Sequence, residues 1–518
     1  MRRCFVFTFI SLNLITGCDV LNSWDFYSRD PQKYYSPYID DRVRDIKDQI
    51  GEASEHSYAF YYITDTHPNQ NYGNSGFLLT VLASQLPIND LFFGGDVGTS
   101  TSTKWGEGYS AREALLKSDS ANTAILHSVK PFANVYRIKG NHDYSVADAD
   151  FWRSGEKYKK GDRVVYRPNE HDDGGLWECV TGNSDDAWTE SHWKKKAEVS
   201  GYTFNATESY QMIMRDVVSN GDAIYPNGVK GCFYFVDRPD AKLRLICMDT
   251  CDTDMGYYGI SNVFFGISDE QFNWVANTAL LTTPAEYDVL FFFHIPININ
   301  ATLSQDYVNR KYAKELRDLF EAVNNKCSVL IRGCRYDFSN FKPDIKLVIN
   351  GHTHSDLITK TNGYFAISCS ADYYDSVAAT SPIYTNLGVP TEYTRKKKGT
   401  IREQAFDVVL YDASNSQVKF FRIGQGVDRC LNLIHYQAKV GIPFSFESSL
   451  EAEPLVYYCY DANSNVFSSI LDNYTYSQSL ASVDSRGVVT PIAEGEIVLS
   501  VYDPDKNIIE ISGITIVN

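Results

Sequence analysis

The sequence predicts an α/β core with buried strands, on three observations. Short apolar, β-favouring runs recur along the chain, helix-like stretches lie between them, and each run ends in a turn that carries Asp, Asn or His. The charged stretch from Asp40 to Gln49 suits a short helix, and the strand pattern begins at Ser57. Tyr58–Ile63 is the first strand-like run and closes in a turn. Asp90–Phe93 stops at Gly94-Gly95, Asn134–Ile138 at Gly140, Val289–Phe293 at His294, and Ile345–Ile349 at Gly351. Helices are expected over Ser268 to Leu281 and Gln305 to Asn324. In sheets of this kind active sites gather at the carboxyl ends of the strands.

The chain has 518 residues, more than one ordinary core holds, with 43% hydrophobic and 22% charged residues. That composition belongs to a folded protein. The 36 Tyr and 29 Phe suit a sheet-rich interior, and the net charge of −17 argues against nucleic acid as partner. Met1-Arg2-Arg3 followed by the apolar run Cys4–Ile15 matches an export signal too short to span a bilayer. Leu14-Ile15-Thr16-Gly17-Cys18 resembles the lipobox of bacterial lipoproteins; a plain secretory signal is the alternative. The expectation is a signal peptide over 1–17, an acylated Cys18, and a stalk and lead-in over 18–56. The product is then an exported protein tethered to the bacterial cell envelope by lipid alone, periplasmic or on the cell surface. Of the eleven cysteines, removing Cys4 and Cys18 leaves nine (11 − 2), an odd number whose spacings assign no disulfide.

The polar residues at the strand ends carry the chemistry. They are Asp65-Thr66-His67, Gly95-Asp96, Gly140-Asn141-His142-Asp143, His294, and Gly351-His352-Thr353-His354, which hold five of the ten histidines. A carboxylate and an imidazole two residues apart just past a strand can face one ion. Glycine beside a ligand lets the backbone turn sharply. Oxygen and imidazole ligands without thiolate suit manganese, iron, zinc or nickel better than calcium. Singly each motif reads as a turn.

In this order, the five blocks resemble the calcineurin-like metallophosphoesterase superfamily over about Ser57 to Arg429. The resemblance implies a four-layer αββα sandwich over 57–430 and a dinuclear, metal-dependent hydrolase of phosphate mono- or diesters. It assigns Asp65, His67, Asp96 and His354 to one metal and Asp96, Asn141, His294 and His352 to the other, with Asp96 bridging. A hydroxide shared by the ions would be the nucleophile. His142 would serve the leaving oxygen as acid or hydrogen-bond donor. Asp143 either orients His142 or is a structural turn residue. Protein phosphatases of the superfamily carry Asp-Arg-Gly and Asn-His-Glu, where this chain has Asp96-Val97-Gly98-Thr99 and Asn141-His142-Asp143. Purple acid phosphatases place a Tyr where Thr99 stands. The pattern is closer to bacterial enzymes that act on small esters, nucleotides or lipid-derived phosphates.

Two segments break the α/β rhythm. Residues 151–197 are rich in Gly, Lys and Trp and resemble a small chitin-binding type of carbohydrate-binding module. Trp177, Trp188 and Trp193 could stack on sugar rings or form the core of a spacer. Residues 437–518, with Ala481–Thr490 and Ala493–Tyr502, resemble the closing strands of a bacterial immunoglobulin-like group 2 domain. A second reading follows from these modules: a surface-binding, adhesive lipoprotein on a scaffold that has lost activity. A nuclease is a third, weakened by the acidic charge.

Overall fold

In the computed structural model, residues 31–518 are described apart from 68–74, 99–110, 144–149, 167, 169–173, 199–205, 227–230, 253–265, 298–299, 302–311, 362, 374–380, 463–465 and 469–472. The signal segment, Cys18 and Thr99 lie outside the described residues. The main strands are β1 (Ser57–Ile63), β2 (Asp90–Phe93), β3 (Asn134–Arg137), β4 (Tyr234–Arg238), β5 (Leu243–Cys247), β6 (Asp288–Phe292), β7 (Ile345–Asn350), β8 (Leu357–Thr361) and β9 (Tyr364–Ser368). They continue with β10 (Ala405–Asp412), β11 (Gln417–Gly424), β12 (Asp428–Lys439), β13 (Val456–Asp461), β14 (Gly495–Asp503) and β15 (Ile508–Val517). The main helices are α1 (Pro31–Glu52), α2 (Ser75–Ala83), α3 (Ala111–His127), α4 (Ala206–Asn220), α5 (Asp269–Trp274) and α6 (Ala313–Asn324).

Two sheets face each other. One runs β13-β14-β15-β12-β11-β10-β1-β2-β3, the other β8-β9-β7-β6-β5-β4. The segments that hold the site are parallel: β1 with β2, β2 with β3, β5 with β6, and β6 with β7. The two-residue period of a strand explains the layering. Phe60 and Tyr62 turn into the core between the sheets with Phe92, Leu290 and Phe292. Their neighbours Tyr61, Ile63, Leu91 and Phe93 turn outward onto α1, α2 and α3 through Ile39, Val43, Ile46, Leu78, Leu79, Leu82 and Leu126. On the other side Val289 and Phe291 pack against α5 and α6 through Phe272, Leu316, Leu319 and Phe320. Layers of helix, sheet, sheet and helix result. Across the central layer Phe92 stacks on Phe292 with centroids 4.4 Å apart, and Phe60 meets Phe292 edge-on. Burying each such ring contributes roughly 1.5–3 kcal/mol.

Four elements differ from expectation. The helix foreseen over Gln305–Asn324 begins at Ala313, after a left-handed Tyr312, and 302–311 lie outside the described residues. The helix foreseen at Asp40–Gln49 extends from Pro31 to Glu52. The one foreseen over Ser268–Leu281 is capped by Ser268, whose hydroxyl accepts from Gln271 N, and turns π-helical over Val275–Leu280. The boundary drawn at 437 falls inside β12, which pairs with β11 on one side and in parallel with β15 on the other. The tail strands therefore continue the core sheet. Phe444–Ser445, Ala481–Val483 and Val488–Pro491 form a small separate sheet. With the far end of the large sheet it encloses Cys459, Val489, Ile497, Leu499 and Ile514.

The insert has four paired segments, Asp150–Phe151, Arg163–Tyr166, Gly175–Cys179 and Trp193–Glu198. Its aromatic rings are engaged with one another. Trp188 stacks on Tyr166 (3.8 Å) and Trp193 (5.1 Å), Trp152 and Trp177 approach it edge-on, and Trp193 is buried. That is how so small a unit builds a core. The nine described cysteines are all free thiols, seven of them buried.

Candidate metal centre

The polar motifs converge past the carboxyl ends of β1, β2, β3, β6 and β7. Backbone hydrogen bonds stitch the loops together: Asp65 N donates to Gly95 O at 2.9 Å, Gly94 N to Ile63 O at 2.8 Å, and Gly351 N to His294 O at 3.1 Å. Five of the residues assigned to metal have left-handed backbones: Asp65 (φ 51°), His67 (34°), Asp96 (62°), His352 (69°) and His354 (57°). Each such residue costs on the order of 1–3 kcal/mol and persists only where its surroundings over-determine it. The glycines make room. A Cβ on Gly140 would collide with the Asp96 carboxylate, and one on Gly351 would lie 2.6 Å from Asp65 Oδ2.

Two clusters of ligand-type atoms form, each spanning no more than 4.8 Å: Asp65, His67, Asp96 and His354, and Asp96, His294 and His352. Asp96 belongs to both. Asn141 joins the second through Oδ1, 3.0 Å from His294 Nε2 and 2.9 Å from His352 Nδ1. Within the clusters Asp96 Oδ2 lies 3.0 Å from His294 Nε2 and 3.7 Å from His67 Nε2, and Asp65 Oδ1 lies 3.2 Å from His354 Nε2. The seven side chains expected to hold metal thus meet at one place.

Their outer partners fit that role. His67 Nδ1–H donates to Gly98 O at 2.5 Å and His294 Nδ1–H to Gly94 O at 2.8 Å, which turns each Nε2 inward. Asp65 Oδ2 accepts from the Thr64 hydroxyl (2.7 Å) and His352 N (3.0 Å), leaving Oδ1 for the cluster. Asp96 Oδ1 accepts from His142 N at 2.7 Å. His67 Nε2 is buried with no hydrogen-bond partner among the described residues, and the buried Asp96 Oδ2 meets the imidazole of His294 at 3.0 Å. A buried nitrogen without a partner is costly unless something binds it. A cation between these donors would satisfy His67 Nε2, so the residues fit a metal ion.

The charges are consistent with this. Burial works against the ionised form of Asp96, yet His294 and His142 hold its carboxyl well below the usual range. Asp65 is lowered too, with His294 and His354 overcoming burial. Burial, reinforced by His142, pushes His67 down to about 3, so it is neutral with a lone pair to offer. His294 goes the other way, to about 9, because Asp96 and Asp65 outweigh its burial.

His142 lies at the rim. Its side chain is 24% exposed, its Nε2 is 4.0 Å from Asp96 Oδ2, and its ring meets His67 edge-on at 5.0 Å. Burial lowers its pKa below that of an ordinary imidazole. Asp143 does not orient it: His142 Nδ1 has no hydrogen-bond partner among the described residues. The Asp143 carboxylate instead accepts from Asp96 N (3.0 Å), Val97 N (2.5 Å) and Gly140 N (2.8 Å), clamping two ligand loops together. These hydrogen bonds match the structural one of the two roles open to Asp143 in the sequence. Burial and the nearby Asp96 push its carboxyl up to about 7.

Sequence reasoning missed Thr64, Tyr373 and the buried pair Lys139–Asp249 (3.2 Å) beneath Asn141. Thr64 adjoins Asp65 and Lys139 lies two positions before Asn141, which is a weak signal. Tyr373 has none, because its loop reaches the site only through the fold.

Fold and site together define an α/β protein with a candidate metal centre of clustered Asp and His side chains. No family model matches the sequence, and no curated protein does. Among solved structures, the chain is similar to a conserved uncharacterized protein from Streptococcus pneumoniae described as a predicted phosphoesterase. That similarity is 9% identity and a TM-score of 0.20, covering 72% of this chain and 97% of that one. It is also similar to phosphopantetheinyl hydrolase from Mycobacterium tuberculosis, at 11% identity and a TM-score of 0.21, covering 61% of this chain and 91% of that one.

Proposed function

We propose that this chain hydrolyses phosphate esters with two bound transition-metal ions. The observation that carries the proposal is the pair of Asp/His clusters that share the buried Asp96. Asp65, His67, Asp96 and His354 would hold one ion, and Asp96, Asn141, His294 and His352 the other. Two such ions, when bound, would supply Lewis acidity toward phosphoryl oxygens and lower the pKa of a bound water so that hydroxide is available near neutral pH. The donor set of oxygen and imidazole, without thiolate, favours manganese, iron, zinc or nickel.

The chain's own residues do the rest. Asp65 and Asp96 stay ionised, and His67 stays neutral, so their ligand atoms need no proton removed near neutral pH. Carbonyls of Gly94 and Gly98 fix the rings of His294 and His67. His142, partly exposed at the rim, is the group we assign to donate a hydrogen bond or proton from Nε2 to the leaving oxygen. Attachment to the cell envelope through Cys18 belongs to the same proposal and rests on the sequence pattern.

The test is turnover of aryl phosphate mono- and diesters by the purified ectodomain with added manganese, beside Asp96→Asn and His142→Ala. Wild-type turnover is expected to vanish in Asp96→Asn. In His142→Ala it should fall by about 10²–10⁴-fold, with metal retained. Undiminished turnover in Asp96→Asn overturns the proposal.

A further inference from the structure

We infer that Tyr373 is a positioning residue for His354, holding the imidazole so that Nε2 faces the cluster; the inference rests on the two-metal reading above. The Tyr373 hydroxyl lies 2.9 Å from His354 Nδ1, while His354 Nε2 lies 3.2 Å from Asp65 Oδ1. The phenol ring stands perpendicular to two ligand imidazoles at once. Its centroid is 4.9 Å from that of His67 at 89° and 4.9 Å from that of His354 at 79°. The side chain is 6% exposed. One residue thus sets the orientation of two of the four side chains in the first cluster.

Tyr373 is itself fixed from several sides. Its N–H donates to the carbonyl of ligand Asp65 at 3.1 Å, and Asp372 N donates to Thr64 O at 2.9 Å. Lys396 Nζ donates to the carbonyls of Asp372 (2.9 Å) and Tyr373 (2.8 Å), and also to that of Ala371. The buried Asp372 carboxylate accepts from Ser75 Oγ (2.7 and 2.9 Å) and Ala405 N (3.3 Å). The loop from Ala371 to Tyr373 is anchored to β1's end, to α2 and to the start of β10. So dense a set of anchors aligns the phenol to the ligand loops.

The chemistry of the partner sets His354 apart. His67 and His294 give their Nδ1–H to backbone carbonyls, which can only accept, so their tautomer is settled. A phenol oxygen can accept or donate. It keeps the Nδ1–H form of His354, the form with a lone pair on Nε2, only while its own proton points away from that ring. Of these three histidines, His354 is the one whose readiness to bind a metal depends on a side chain. Outer partners of this kind typically alter metal affinity about 10–100-fold.

The experiment is manganese titration of the whole protein, wild type beside Tyr373→Phe, read by bound-metal content and calorimetry and not by activity. Tyr373→Phe keeps the ring and removes one oxygen, so its thermal melt should overlay that of wild type. The affinity of one site is expected to fall about 10–100-fold while the other is unchanged. At intermediate free manganese the variant then holds one ion where wild type holds two. A histidine side-chain NMR spectrum of the metal-free protein should show the Nε2–H tautomer of His354 gaining in the variant. If wild type binds two ions and Tyr373→Phe binds both with equal affinity, the inference fails alone. If wild type takes up no manganese, the two-metal reading fails and this inference with it.

Discussion

Replacing Arg429 with Met removes one cation from four ionised side chains sealed inside the protein. Asp356, Asp407, Arg422 and Arg429 are each exposed by 2% or less. Arg422 reaches Asp407 (2.9 Å) and Asp356 (2.8 Å), Arg429 bonds to the same two carboxylates, and the Tyr384 hydroxyl donates to Asp356 at 2.6 Å. Two cations and two anions balance; without Arg429 the cluster carries −1, with water excluded. Breaking a buried pair by removing one partner costs about 3–5 kcal/mol, because the charge left behind stays desolvated. Urea unfolding followed by circular dichroism reads the loss directly. Arg44→Ala is the control, since its ion pair with Asp41 is about 70% exposed on both sides and should count for less than about 0.5 kcal/mol. Adding Asp407→Leu to Arg429→Met restores the balance and should recover part of the loss. The effect should also reach metal uptake: Asp356 is two residues beyond His354, and Arg429 lies on β12, the strand that joins the tail to the core. Stability of Arg429→Met within about 1 kcal/mol of wild type would show that the buried charges are not balanced by Arg429.

Two further outcomes are expected. With a folded-state pKa raised to about 9, His294 stabilises the metal-free protein below its unfolded value near 6.5, and that contribution is lost as pH rises through 9. Metal needs the neutral ring, so affinity should rise about tenfold per pH unit toward 9, with about one proton released per protein at pH 7. Calorimetry in buffers of different ionisation enthalpy measures that proton, and a buffer-independent heat would contradict it. Asp143→Asn places an amide NH₂ against a backbone N–H that now donates to a carboxylate, at a cost of about 1–3 kcal/mol. Lower melting temperature with reduced manganese content is the expected reading, and unchanged stability would deny the clamp.

What the sequence made legible is what short-range pattern encodes. Asp90–Phe93 matches the observed strand because an apolar run ended by two glycines has few other conformations. The seven side chains that converge at the candidate site were legible because each sits in a turn just past a strand, where a two-residue step keeps side chains on one face. The outer partners were not, because a hydrogen bond such as Tyr373 to His354 or Arg429 to Asp356 joins residues brought together by topology alone. The same holds for the tail. Its alternation identified strands, but alternation does not say which edge a strand joins, and β15 pairs with β12 across about 80 residues of chain. The insert shows a different limit. Aromatic content reads alike for a sugar platform and for a tiny core, and the stack of Tyr166, Trp188 and Trp193 is visible only in three dimensions.

The claim on which the rest depends is that one carboxylate, Asp96, serves two ions. Manganese loading followed by electron paramagnetic resonance tests it most directly. Two Mn(II) ions sharing Asp96 are magnetically coupled, so at full loading the wild-type protein should bind two ions and give the many-line spectrum of a coupled pair. Asp96→Asn should abolish that spectrum. The simple hyperfine pattern of isolated ions at full loading, or uptake no greater than in Asp96→Asn, would contradict the account.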